Sequence, residues 1–165
     1  MIRLLAIDPG SIRMGLSLFD GPDLVGTRSL AAPEKWSAEL RLSTLMGELS
    51  HIVHTHRPQA LAMERPGAGN PAHRPPTLLT LCTFIRQAAA REWKISVTEY
   101  ATGTITAEVR LRGFPAKDRK AALRAGVVAI YGERYLEAPQ DVVDAIAVGH
   151  TFLVKAREAA LLAQI

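Results

Sequence analysis

The sequence predicts an α/β domain, a mixed central β-sheet with helices on its faces, and three observations carry that expectation. The opening thirty residues hold short apolar runs separated by strong turn residues. The remainder alternates long stretches of helical period with short stretches of strand length. No internal repeat, low-complexity tract or linker interrupts the pattern, so residues 1–165 are expected to form one domain.

In chain order, Ile2 to Ile7 reads as a strand that ends in Asp8-Pro9-Gly10, a turn sequence. Met14–Phe19 and Leu24–Leu30 are two further strands, and Asp20-Gly21-Pro22-Asp23 between them gives an antiparallel meander. From Trp36 to about His56 the period lengthens. Leu42, Leu45, Leu49, Ile52 and Val53 recur three and four residues apart, as on an amphipathic helix closed by Pro58. Ala60–Met63 is a short strand that delivers Glu64, and Arg65–Pro76, rich in proline and glycine, is a loop. Thr77–Trp93 is a second long helix and Ile95–Tyr100 alternates as a strand. Thr104–Leu111, Lys117–Tyr131 and Pro139 to about Leu162 are the remaining helices.

Composition narrows the function classes. Hydrophobic residues make up 48% and charged residues 22%, the balance of a water-soluble globular chain rather than a disordered one. No apolar run approaches the roughly 20 residues of a membrane span, and no basic-then-apolar leader is visible, so a cytoplasmic location is expected. The single cysteine, Cys82, excludes an internal disulfide and a cysteine-based zinc site. Net charge is +4, unevenly spread: Arg110 to Arg134 holds seven basic residues against two acidic ones. Arg110, Arg112, Lys117, Arg119 and Lys120 open that window and suit a polyanionic partner, although a charge run also forms an ordinary solvated helix face.

Acidic residues supply the candidate chemistry. Asp8 and Glu64 each end an apolar strand, where either could equally be a turn or strand-end acid. Asp141 and Asp144 lie three apart near the start of the last helix and so share a face. The helix dipole accounts for Asp141. Asp144 stands among Val143, Ala145, Ile146 and Val148 with no lysine or arginine within a turn, so it needs a counter-charge. Four carboxylates drawn from two strand ends and one helix are hard oxygen donors of the kind that hold Mg2+ or Mn2+. Two such ions roughly 4 Å apart would clamp the attacking and departing oxygens of a phosphoryl displacement. His51, His54 and His56 sit near the end of one helix without a fourth ligand and read as ordinary surface or half-buried histidines. Trp36 and Trp93 read as packing residues, and His150, two turns beyond Asp141, reads as a core or surface histidine, with a place behind the acids as the alternative.

Asp8-Pro9-Gly10-Ser11 after a strand, Glu64 ending a central strand, and Asp141-x-x-Asp144-Ala145 opening the last helix resemble the RuvC family of Holliday junction resolvases along nearly the whole chain. The resemblance implies the RNase H-like fold and a homodimeric, metal-dependent endonuclease that cuts opposing strands of a four-way DNA junction. It implies that Asp8, Glu64, Asp141 and Asp144 bind the metal, one or two Mg2+ ions with Mn2+ as a substitute. It assigns Lys117 and Lys120 to phosphate near the scissile bond, and the helix beginning at Thr77 to the dimer interface. A branch-migration motor as partner is left unknown. One position departs from the pattern: Gly67 stands where the family carries an aromatic wedge, leaving Arg65, His73 or Arg74 in that loop to engage DNA. A nuclease of YqgF type, sharing the fold and acting on RNA, is the alternative reading.

Overall fold

The computed structural model describes residues 2–66, 75–110 and 118–164. Its strands are β1 (Arg3–Asp8), β2 (Arg13–Asp20), β3 (Asp23–Ala31), β4 (Ala60–Glu64) and β5 (Ser96–Tyr100). Its helices are α1 (Ala38–His56), α2 (Pro76–Ala88, continued by a π-helical turn over Ala89–Trp93), α3 (Thr102–Val109), α4 (Arg119–Tyr131) and α5 (Gln140–Leu162). The sheet runs β3-β2-β1-β4-β5. β1, β2 and β3 form the expected antiparallel meander, while β4 and β5 join parallel to β1. This mixed sheet covered on both faces is the α/β architecture expected from the sequence.

Strand side chains alternate between faces, and that parity divides the core in two. Leu5, Ile7, Met14, Leu16, Leu61 and Met63 pack under α1 and α2. Leu4, Ala6, Phe19, Ala60 and Ala62 pack under α3, α4 and α5. Cys82 lies buried in the first of these layers, and Trp36 and Trp93 pack against it as the sequence implied. Ser37 caps α1 by accepting from the Leu40 backbone N–H at 3.3 Å, and Arg57 closes the helix with φ 48.

Helix α5 is laid on β2 by a regular ladder. A Cβ on Gly15 would meet the Asp141 carbonyl oxygen at 1.8 Å, and one on Gly149 would meet the Phe19 ring at 2.1 Å. Between these contacts Ser17 Oγ donates to the Ala145 carbonyl at 2.9 Å, fully buried. Two strand residues rise about 6.6 Å and four helix residues about 6 Å, so positions 15, 17 and 19 meet 141, 145 and 149 in step. The two missing side chains let helix and sheet approach closely, and the ladder fixes where α5 begins relative to the end of β1.

Candidate active site

Parity and register together decide where the acids fall. Asp8 and Glu64 are even-numbered on β1 and β4, so they project with Leu4, Ala6, Ala60 and Ala62 toward α3, α4 and α5. Ile7 pairs with Met63, which sets Asp8 and Glu64 side by side one step further along parallel strands. Asp8 also lies opposite Gly15, the residue on which the Asp141 backbone rests. Asp144 follows on the same face of α5, with Val143, Ala145 and Ile146 around it fully buried. Four acids separated by up to 136 residues of chain thus converge at one end of the sheet.

Their electrostatics show the proximity. Desolvation pushes the Asp8 carboxyl up to about 8, helped in turn by the negative charges of Asp144, Glu64 and Asp141. Burial also raises Asp144, with Glu64 adding to it, while a hydrogen bond from Gln140 acts the other way. Lys120 lowers both groups and Arg119 lowers Asp144, so the exposed start of α4 points positive charge at the acids. The counter-charges that Asp144 needs come from this separate helix rather than from its own turn.

Three neutral side chains hold the carboxylates. Thr102 Oγ1, in the first turn of α3, donates to Glu64 Oε1. Ser29 Oγ, on β3 opposite Gly15, donates to Asp141 Oδ2. Gln140 Nε2 donates to Asp144 Oδ1 at 2.9 Å. None of the three was expected from the sequence. Ser29 and Thr102 carry no local signal, whereas Gln140 stands one turn before Asp144 and could have been read from that spacing.

The donor set fits a hard divalent cation by its chemistry: oxygen ligands only, mutually repelling and partly desolvated. As they stand, no three His, Cys, Asp or Glu side chains among the described residues are grouped closely enough to hold an ion. Ser29 and Thr102 keep Asp141 and Glu64 engaged in hydroxyl bonds, so gathering the acids on a cation requires those bonds to exchange or lengthen.

The other sequence candidates divide cleanly. Lys120 and Arg119 lie by the acids. Arg110 follows the last residue of α3 and is half-buried. Lys117, Arg112 and Arg74 lie outside the described residues, as do Gly67 and His73. His51, His54 and His56 are exposed on α1, as read from the sequence. His150 does not reach the acids: its Nδ1 is 2.9 Å from the Tyr131 hydroxyl, and burial lowers its pKa.

Fold and acids together define an RNase H-like domain with a carboxylate-lined site at the sheet end. No protein-family model matches the chain. It is similar to the crossover junction endodeoxyribonuclease RuvC of Dehalococcoides mccartyi, 26% identical over 151 residues that cover 89% of each chain. The same-named protein of Halorhodospira halophila is 29% identical over 149 residues, covering 77% of this chain and 89% of that one. Among solved structures, Thermus thermophilus RuvC in complex with a Holliday junction substrate superposes with a TM-score of 0.75 over 96% of both chains at 20% identity. The chain is RuvC-like over nearly its whole length, in sequence and in fold.

Proposed function

We propose that this chain is a metal-dependent, structure-selective endodeoxyribonuclease. It resolves Holliday (four-way) junctions or related branched DNA by phosphodiester hydrolysis in recombination and repair, acting in the cytoplasm. The observation that carries the proposal is that Asp8, Glu64, Asp141 and Asp144 are brought from three elements to one end of the sheet, near enough that burial and the other three charges push Asp8 up to about 8. A protein that only bound nucleic acid would gain nothing from acids gathered against phosphate.

Asp8, Glu64, Asp141 and Asp144 would hold one or two Mg2+ ions, with Mn2+ as a substitute. Bound there, a metal would supply positive charge to the phosphoryl oxygens and would lower the pKa of water. The chain's own residues supply the rest. The strand-end acids sit on the sheet and the other two on a helix locked to it, so the donors are held on rigid elements. Lys120 and Arg119 at the start of α4 attract the phosphate backbone and offset charge beside the acids. With Gly67 three residues after Glu64 in sequence, opening of the junction centre does not rest on an aromatic at that position.

Cutting two opposed strands calls for two sites, and α2 offers a face for a second copy. It turns Leu81, Cys82, Ile85 and Ala88 inward, yet Phe84 stays 43% exposed in a groove shared with α1. We therefore include a homodimer in the proposal.

A cleavage assay tests it, using labelled four-way junction, fork, linear duplex and RNA with Mg2+, Mn2+ or chelator. Paired symmetric nicks on the junction, absent with chelator, are the expected result. Equal activity on RNA would overturn it in favour of a YqgF-type nuclease. Asp144→Asn should abolish cleavage while junction binding, followed by gel shift, stays equal or tightens as carboxylate–phosphate repulsion falls. An active Asp144→Asn enzyme would remove Asp144 from the site.

A further inference from the structure

We propose that Arg124 and Gln140 form a positioning relay that sets the Asp144 carboxylate for metal. Arg124, half-buried on α4, turns its guanidinium to backbone carbonyls and to an amide rather than to a carboxylate. Its Nη1 donates to the carbonyls of Ala138 at 2.7 Å, Leu136 at 2.9 Å and Tyr135 at 3.3 Å, clamping the turn that leads into α5. Its Nη2 donates to Gln140 Oε1 at 3.0 Å, and Gln140 Nε2 donates in turn to Asp144 Oδ1 at 2.9 Å.

The chemistry fixes the direction of this chain. A guanidinium has donors only and an ionised carboxylate has acceptors only. The Gln140 amide accepts from one through Oε1 and donates to the other through Nε2, so its flip state is determined by its two partners. Helix α5 lacks a capping side chain, since Pro139 precedes it. Arg124 therefore does two things at once: it fixes the entry into α5 and it aims the Gln140 amide. With Oδ1 of Asp144 engaged, a swing of the carboxylate about its last torsion would break that bond, which leaves the other oxygen as the one to take a cation. Arrangements that orient a ligand in this way commonly contribute about 10–100-fold in metal affinity or activity.

The relay rests on the reading of Asp144 as a metal ligand, and the experiment separates the two ideas. Mn2+ affinity is measured on the DNA-free, full-length protein by titration calorimetry or by electron paramagnetic resonance of free Mn2+. The variants are Gln140→Met, Arg124→Lys and the double substitution, and thermal melts are recorded for each. Gln140→Met keeps side-chain length and loses the donor, while Arg124→Lys keeps a cation for the carbonyls and loses the fork. Each single change is expected to weaken Mn2+ binding about tenfold or more. The double variant should be no weaker than the worse single one, because both act through the same carboxylate. A purely structural role would lower the melting temperature and leave affinity unmoved. Mn2+ binding by wild type with Gln140→Met equal to it, or losses that add in full, would overturn the relay alone. A wild-type protein that binds no Mn2+ would overturn the metal reading and the relay with it.

Discussion

Asp8 shows how much a single carboxylate can be altered by where its strand ends. In the sequence it is an acid in a common turn tripeptide, and Asp144 was the residue whose surroundings demanded a counter-charge. In the structure both are raised by burial, but Asp8 also faces the other three acids and reaches about 8. An acid whose pKa is higher folded than unfolded takes up a proton on folding. Without metal, the fold therefore loses stability as pH climbs from the ordinary value of 3.8 toward about 8. Asp144 shifts in the same direction and adds to the slope. Asp8→Asn should thus stabilise the chelated protein at pH 8 by on the order of a few kcal/mol, with the gain vanishing near pH 4. Denaturant unfolding across that range checks it. A variant no more stable than wild type at pH 8 would show that the acids do not strain the empty site. Added Mg2+ should narrow the gap by stabilising wild type more.

At the scale of elements, the docking of α5 on β2 decides whether the site exists. Gly15 is the critical rung, because a methyl there meets the Asp141 backbone carbonyl, which cannot swing aside as a side chain can. Gly15→Ala should cost about 3 kcal/mol or more and displace the acids of α5, lowering both melting temperature and cleavage. Gly103 in α3 is the control: it is exposed, a Cβ there meets nothing within 4 Å, and Gly103→Ala should raise stability by about 0.5–1 kcal/mol. Equal melting temperatures for the two variants would contradict the ladder. These elements also show what a sequence can reveal. The strands and helices were legible because burial on one face imposes a local period, and only their ends moved: α3 begins at Thr102 rather than Thr104, and α4 at Arg119. The places of the four acids were legible as two strand ends and a three-residue spacing, but Asp8 and Glu64 alone read as turn and strand-end acids, and the family resemblance did most to group them with Asp141 and Asp144. Ser29 was not, since its partner Asp141 lies 112 residues away and a serine on a strand has no pattern of its own. Gly15 was hidden for the same reason, and Thr102 looks like any first-turn threonine. Arg124 was concealed within a basic run that implied phosphate contacts, whereas its fork is occupied by the turn before α5.

At the scale of the whole molecule, charge and the proposed assembly would govern how the proposed branched substrate is met. With a net charge of only +4, binding depends on where the cations stand. Lys120 is exposed and lies by the acids, so Lys120→Ala should weaken junction binding, reduce the salt dependence of log Kd by about one ion, and lower cleavage. A binding curve measured at several salt concentrations reads this directly. An unchanged slope would place Lys120 off the DNA path. The proposed assembly turns on α2, whose sequence shows one apolar stripe and whose structure leaves Phe84 exposed beside it. Leu81, Cys82 and Ile85 complete the core, while Phe84 is left exposed in the groove shared with α1 and Leu79 is exposed on another side of the helix. Exposing two large apolar side chains on one helix costs solubility unless something covers them. Across the groove α1 presents Ser43, Met46, Gly47 and Ser50, mostly small residues that leave room for bulky side chains of a second copy. A charge at the centre of such a contact would be desolvated without a partner. Phe84→Glu should therefore give a monomer by analytical ultracentrifugation while the far-ultraviolet dichroism stays native, because Phe84 takes no part in the buried core. With one site per particle, paired incision should fall far more than single-strand nicking. If Phe84→Glu remains dimeric and still cuts both strands together, the α2 face is not the interface, and the two sites are brought together by another surface.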